Sequence, residues 1–136
     1  MTQETVEGRL RRFLLLLTLF IFAGTVAELL LEDHTQEALQ FVPFILCALG
    51  FIAVMGVLLR PQRSTLLALR VVMIIVGAGG ALGSLIHLLR NIAFEQEIRP
   101  NAALMDAILA GFKGASPLFA PGLLTIAALL ALAATY

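Results

Sequence analysis

Two histidines and one glutamate are the residues of this chain best suited to chemistry, because they interrupt sequence that is otherwise apolar. Glu28 lies near the end of the apolar run 13–31, His87 lies near the end of the run 66–89, and His34 lies in the first loop. Ionisable groups are costly at membrane depth, so each needs a partner or a use. Glu28 and His87 each lie about one helical turn inside the end of their runs. We therefore expect them at similar depth, close enough for a hydrogen bond or an ion pair.

Three interpretations of these residues are open. In the first, Glu28, His34 and His87 hydrogen-bond helix ends to each other and to the loops. In the second, His34 and His87 bind haem or a transition metal, with Glu28 as a third ligand or an orienting partner, because imidazole is a common metal ligand. In the third, Glu28 carries a proton or an ion and His87 relays it. The spacing matches no recognised metal motif such as H-E-x-x-H, so no cofactor is assigned.

A polar stripe surrounds the second histidine. Ser84, His87 and Asn91 follow one another at intervals of three and four residues, which places them on one helix face. Together with Glu28 they form a predicted polar cluster. No combination of nucleophile and base is visible, so we predict no catalytic residue. Cys47 is the only cysteine, and we expect a small residue that is buried or faces lipid.

The glycine-rich segment before this stripe, VGAGGALG, has two possible meanings. A loose G-x-G-x-x-x-G spacing resembles a dinucleotide-binding turn, but that site needs flanking strands in a βαβ unit, and none is indicated. In a membrane helix, small residues instead let a second helix approach closely. We therefore predict no nucleotide ligand and a helix-packing groove formed by Gly79, Gly80 and Gly83.

Composition places most of the chain in lipid. Of the 136 residues, 60% are hydrophobic and 13% are charged, and the mean hydropathy is +1.00. About a quarter of the residues in a soluble domain are charged. This chain has too few charged residues to cover the surface of a soluble fold. The formal net charge is zero, and the lack of a basic patch argues against nucleic acid as a partner.

Four apolar runs predict an all-α integral membrane protein that forms a single domain over residues 1–136. Each run has roughly 19 to 24 residues, enough at about 1.5 Å per residue to cross a hydrocarbon core of about 30 Å. Backbone polar groups must be paired within lipid, so each run should be a helix. The fold expected is a four-transmembrane-helix bundle with helices over 13–31, 41–59, 66–89 and 118–136. The first run also resembles a secretory signal, but its continuation through Leu31 favours a retained helix.

The distribution of basic residues predicts that both termini are cytoplasmic. Cytoplasmic loops are enriched in Lys and Arg. One side of the predicted bundle carries six arginines: Arg9, Arg11, Arg12, Arg60, Arg63 and Arg70. The other side carries three basic residues on a longer connection and most of the acidic residues. We therefore expect a multi-pass protein of the plasma (inner) membrane, with the first and third connections outside.

The third connection, residues 90–117, predicts a short helix of its own. Apolar residues recur at helical spacing and lie opposite polar ones, with Asn101 as the expected N-cap. This pattern favours an interfacial helix over 101–115. A re-entrant or loosely ordered loop is the alternative.

Small size, few polar groups and a glycine groove favour a non-enzymatic protein over an enzyme. The leading prediction is an accessory or structural subunit whose partners are the lipid bilayer and other membrane subunits. A haem- or metal-binding redox protein that uses His34 and His87 is the first alternative. A small proton-coupled transporter that uses Glu28 is the second.

Overall fold

A computed structural model of the chain describes residues 5–114, 116 and 118–136. Within these residues every regular element is helical and none is a strand, which confirms the predicted all-α class. The helices are α1 (Val6–Leu31), a 3₁₀ turn (Ala38–Phe41), α2 (Val42–Leu59), α3 (Arg63–Ile98), α4 (Leu104–Gly111) and α5 (Phe119–Ala133).

Among the described residues, three segments are long and apolar enough to cross a membrane, namely α1, Ala38–Leu59 and α3. The fourth apolar run forms α5, which has 15 residues and is about 22 Å long. Large apolar side chains also point outward from these helices. Phe20 is 75% exposed and Ile52 is 68% exposed, as expected where the solvent is lipid rather than water. Length, composition and exposure together support a membrane protein.

Several helix boundaries differ from the apolar runs. α3 has 36 residues and is about 54 Å long, well beyond a hydrocarbon core of about 30 Å. Arg90 ends the apolar run but does not break a helix, and the first proline after it is Pro100. α1 likewise begins at Val6, before its apolar run. Hydropathy therefore located the apolar centre of each helix but not its polar extensions.

The helix predicted over 101–115 is shorter in the structure. α4 covers Leu104–Gly111, and Ala103 precedes it in place of the expected N-cap Asn101. Position 115 lies outside the described residues. α4 packs against α3. The amphipathic helix therefore contacts another helix of the protein.

The long helices pack side by side. α1 contacts α2 and α5, and α3 contacts α2 and α5. The buried residues of α1 recur every three or four positions, as one helix face requires: Leu15, Thr18, Phe22, Thr25 and Leu29. A Cβ atom placed on Gly50 of α2 would lie 2.4 Å from the Phe22 ring. The missing side chain thus lets α2 approach α1.

The pairing of α3 with α5 is antiparallel. Gly77 of α3 lies against Ala128, and Gly83 lies against Pro121. Further along, Arg70 reaches Thr135, just beyond the end of α5. We call the end of the molecule where α1 finishes and α2 begins the upper end, and the opposite end the lower end.

Candidate functional site

A pocket of about 540 Å³ opens at the upper end, between α1, α2, α3 and the start of α5. We call it the upper pocket. Its floor is apolar and includes Leu46, which is 8% exposed, and Leu124, which is 1% exposed. Its rim carries ionisable side chains: Glu28, Glu32, His34, Glu37, His87 and Arg90. The pocket thus changes from apolar to charged along its depth.

His34 reaches the pocket because of the way α1 ends. The N–H of His34 donates to the Leu29 carbonyl at 3.0 Å, and the N–H of Asp33 donates to the Leu30 carbonyl at 3.3 Å. These two bonds form a Schellman motif, which needs a left-handed residue between the helix and the loop. Asp33 fills that position with a φ of 50°. The motif reverses the chain and sets His34 beside α3.

His34 and His87 are neighbours across the pocket. Their ring centroids are 6.3 Å apart and the ring planes are inclined by 50°. Nδ1 of His87 is buried and has no hydrogen-bond partner among the described residues. The hydrogen bond expected between Glu28 and His87 is not formed, although both line the pocket. The histidine pair is therefore the closer association.

The rim is acidic. Among the described residues that line the pocket there are three carboxylates, Glu28, Glu32 and Glu37, and one guanidinium, Arg90, so the formal charge of the rim is −2 with the histidines counted as neutral. Glu28 is partly buried, whereas Glu32 and Glu37 are exposed. Glu28 has no ion pair with any residue that the structure describes. The arrangement is complementary to a cation.

The predicted metal ligands share this pocket. Glu28, His34 and His87 all line it. Within residues 5–114, 116 and 118–136, however, no group of three or more His, Cys, Asp or Glu side chains is placed to hold a metal ion. Cys47 is buried at 1% exposure on α2.

Asn91 does not line the upper pocket with His87, the residue with which its helical spacing associated it. Its Nδ2 group donates to the carbonyls of Gly111 and Ser116, each at 3.0 Å. Its Oδ1 atom accepts from the Ser116 N–H at 2.9 Å. Neither Asn91 nor Ser84 is among the described residues that line the pocket. The predicted polar cluster is thus divided, and Asn91 instead ties the connection between α4 and α5 to α3.

The three glycines of the predicted groove face two different neighbours. A Cβ atom on Gly79 would lie 2.6 Å from Cδ1 of Leu46 on α2. A Cβ atom on Gly80 would lie 2.7 Å from the Pro121 carbonyl oxygen on α5, and one on Gly83 would lie 3.2 Å from Cβ of Pro121. Gly79 and Gly83 also line the upper pocket. These positions therefore allow close helix contacts, two of them at the wall of the pocket.

Sequence reasoning missed the apolar floor of the pocket. Leu46, Pro121 and Leu124 come from α2 and α5, and no local pattern distinguishes them from other apolar residues of those runs. From sequence, Arg90 is only one of the basic residues that predict membrane orientation, whereas in the structure it lies at the rim of the pocket. Comparison with known protein families, curated proteins and solved structures finds no match for this chain.

Proposed function

We propose that this protein is a non-enzymatic membrane protein whose upper pocket binds a small amphiphilic molecule. The observation that carries the proposal is one cavity that joins an apolar floor to an ionisable rim. Small-molecule sites are typically cavities of about 300 to 1,000 Å³ with mostly apolar walls and a few polar groups. The upper pocket, at about 540 Å³, has this size and this composition.

The volume of the pocket and its lining side chains favour an organic ligand over a bare ion. A metal ion needs several ligand atoms within about 2 to 2.6 Å, and the described residues offer no group of three such side chains. The cavity between the helices, lined in part by Gly79 and Gly83, has a volume of about 540 Å³. An organic molecule fills such space, and an ion does not.

Depth favours an amphiphile among organic ligands. The floor lies among residues of the apolar runs, and the rim includes Glu32 and Glu37 in or next to the first loop. A ligand seated there has its apolar part level with the lipid chains and its polar part level with the head groups. This order matches the orientation that an amphiphile adopts in a bilayer.

The test uses single-chain probes with twelve carbons. The protein is reconstituted in phosphatidylcholine nanodiscs and titrated with dodecylamine, dodecanol or dodecanoate by calorimetry, and the signal of empty nanodiscs is subtracted. We expect saturable one-site binding of at least one probe and its loss in Gly83→Leu, which adds a bulky side chain at a residue that lines the pocket. Gly56→Leu is the control, because Gly56 has open space around it on α2. Partition without saturation for all three probes would refute the proposal.

We further propose that α5 also crosses the bilayer, which completes a four-helix bundle, and that both termini are cytoplasmic in the inner membrane. The excess of arginine at the lower end supports this orientation. The test introduces single cysteines at Gln36, Gln62 and Lys113 in a Cys47→Ala background. An impermeant maleimide should label positions 36 and 113 in intact cells and position 62 only after lysis. Labelling of all three from one side would contradict the topology.

The accessory-subunit function remains a second proposal. It is supported by Gly24 on α1, where an added Cβ atom would meet nothing within 4 Å and where Ala23 and Ala27 are exposed beside it. Close helix association in lipid uses small residues of this kind. Extraction in a mild detergent should give a larger complex that Gly24→Ile weakens and Gly56→Ile does not. A monodisperse monomer from native membranes would contradict this role.

A further inference from the structure

We infer that the ligand of the upper pocket is a single-chain amphiphile with a protonated primary amine as its head group. The inference rests on the proposed function and adds the chemistry of the head group. Three observations support it: the charge of the rim, the hydrogen-bonding groups on the rim and the side chains that the pocket lacks.

The rim charge selects a cation. Glu28, Glu32 and Glu37 outnumber Arg90 by three to one, so the formal charge of the rim is −2 with the histidines counted as neutral. Of these carboxylates, Glu28 is the one within α1, whereas Glu32 and Glu37 follow the helix. Glu28 is partly buried and forms no ion pair with any described residue. A carboxylate near hydrocarbon is stabilised by an opposite charge. A cationic head group supplies that charge, whereas an anionic one adds repulsion.

The rim also selects a cation with N–H donors. Ionised carboxylates only accept hydrogen bonds, and a neutral imidazole offers one acceptor nitrogen. Nδ1 of His87 is buried and has no hydrogen-bond partner among the described residues, so its hydrogen-bonding capacity is unused. A primary ammonium carries three donors, which are complementary to these acceptors.

A quaternary ammonium head group would need a different site. Proteins recognise such groups with the faces of Trp, Tyr or Phe side chains. None of the described residues that line the upper pocket is a Phe, Tyr or Trp. Charge alone would still attract a quaternary head group, but without hydrogen bonds or aromatic faces it would bind more weakly.

The test compares three probes that share a twelve-carbon chain. Dodecylamine, dodecyltrimethylammonium and dodecanol are titrated at pH 7 into the full chain in phosphatidylcholine nanodiscs, with empty nanodiscs as the blank. The amine is protonated at this pH. We expect dodecylamine to bind about tenfold more tightly than either other probe, because charge-assisted hydrogen bonds are the strong ones. Glu28→Gln should weaken dodecylamine about tenfold and leave dodecanol unchanged.

Control variants make the outcomes distinct. Glu7→Gln, at the lower end of the same helix, should leave all three affinities unchanged. If Glu28→Gln does not fold, Glu32→Gln on the exposed rim should still weaken dodecylamine selectively. Equal binding of dodecylamine and dodecanol would overturn the inference and leave the proposed function standing. Equal binding of dodecylamine and dodecyltrimethylammonium would overturn the requirement for N–H donors. Failure of every probe, dodecanoate included, would overturn the proposed function together with the inference.

Discussion

Asn91 of α3 and Ser116 between α4 and α5 are joined by two reciprocal hydrogen bonds. Nδ2 of Asn91 donates to the Ser116 carbonyl at 3.0 Å, and the Ser116 N–H donates to Oδ1 of Asn91 at 2.9 Å. A second Nδ2 bond reaches the Gly111 carbonyl. Gly114 permits this approach, because an added Cβ atom there would lie 2.3 Å from Cγ of Asn91. One buried amide thus satisfies three backbone groups and determines where the chain enters α5.

Replacing Asn91 should loosen this connection. Asn91→Leu removes all three hydrogen bonds and leaves partly buried backbone groups without partners, which costs about 1 to 3 kcal/mol of unfolding free energy. Reversible unfolding by SDS in mixed micelles measures the change. Asn101→Leu is the control, because Asn101 lies in the same connection but is exposed. Equal effects of the two variants would show that the hydrogen bonds are not what stabilises the connection.

The path of this connection could not be predicted from sequence, although the helices could. Hydropathy identified α1, α2 and α3, because backbone pairing in lipid leaves a long apolar run few alternatives. His87 and Asn91, which the sequence predicts on one helix face, both lie on α3. Which of them meets the pocket and which meets the chain at Ser116 depends on a contact 25 residues away. Local spacing carries no information about such a contact.

The glycines show the same limit within one helix. Gly79 and Gly80 are adjacent in sequence, so they point about 100° apart around the helix axis. Gly79 consequently meets Leu46 of α2, and Gly80 meets Pro121 of α5. Sequence predicted close packing at these positions, but it assigned a single groove where the structure has two contacts. α3 has two neighbouring helices at these glycines, α2 and α5, and the spacing of residues within α3 does not reveal that number.

Substitution at Gly80 should separate α3 from α5. A Cβ atom there would lie 2.7 Å from the Pro121 carbonyl oxygen and 2.9 Å from the Thr125 nitrogen. Both are backbone atoms, which cannot move aside as a flexible side chain can. Gly80→Ala should therefore cost about 1 to 3 kcal/mol, as overpacking does. Gly56→Ala should be neutral or stabilise by up to about 1 kcal/mol, because Ala favours helix and the site is open. SDS unfolding of both variants would test the contrast.

The turn after α1 should respond to the residue type at position 33. Asp33 has a φ of 50°, a conformation that favours glycine and strongly disfavours β-branched residues. We expect Asp33→Val to be less stable than Asp33→Gly by roughly 1 to 2 kcal/mol. At Glu32, where φ is −86°, we expect Glu32→Gly to have no such advantage in stability over Glu32→Val. Thermal unfolding of the four variants in detergent measures this, and a preference for glycine at both positions would contradict the assignment of the motif.

Arg70 should hold the lower end of α5. Its Nε donates to Oγ1 of Thr135 at 3.0 Å, its Nη2 donates to the Thr135 carbonyl at 2.9 Å, and its guanidinium lies 4.9 Å from the centre of the Tyr136 ring. Lysine keeps the charge but lacks the planar set of donors. Arg70→Lys should therefore increase amide hydrogen exchange over residues 130–136 by about threefold to tenfold, equivalent to about 1 kcal/mol. Arg63→Lys, which changes an exposed arginine on the same helix, should leave the exchange unchanged.

Two buried threonines on α1 should respond in opposite ways to the same substitution. Thr18 and Thr25 are both 0% exposed. Oγ1 of Thr18 donates to the Leu14 carbonyl at 2.8 Å, whereas Oγ1 of Thr25 has no hydrogen-bond partner among the described residues. Valine has nearly the same shape without the hydroxyl. Thr25→Val should stabilise the protein by about 1 kcal/mol, because it removes an unsatisfied buried group.

Thr18→Val should be neutral or destabilise by up to about 1 kcal/mol, because it removes a hydroxyl group that has a hydrogen-bond partner. Since both sites lie on the buried face of one helix, differences in burial and helix propensity largely cancel between the two variants. The comparison therefore isolates the hydroxyl group. Paired SDS unfolding curves give the difference directly. A larger stabilisation from Thr18→Val than from Thr25→Val would contradict the assignment of Thr25 as the unsatisfied hydroxyl.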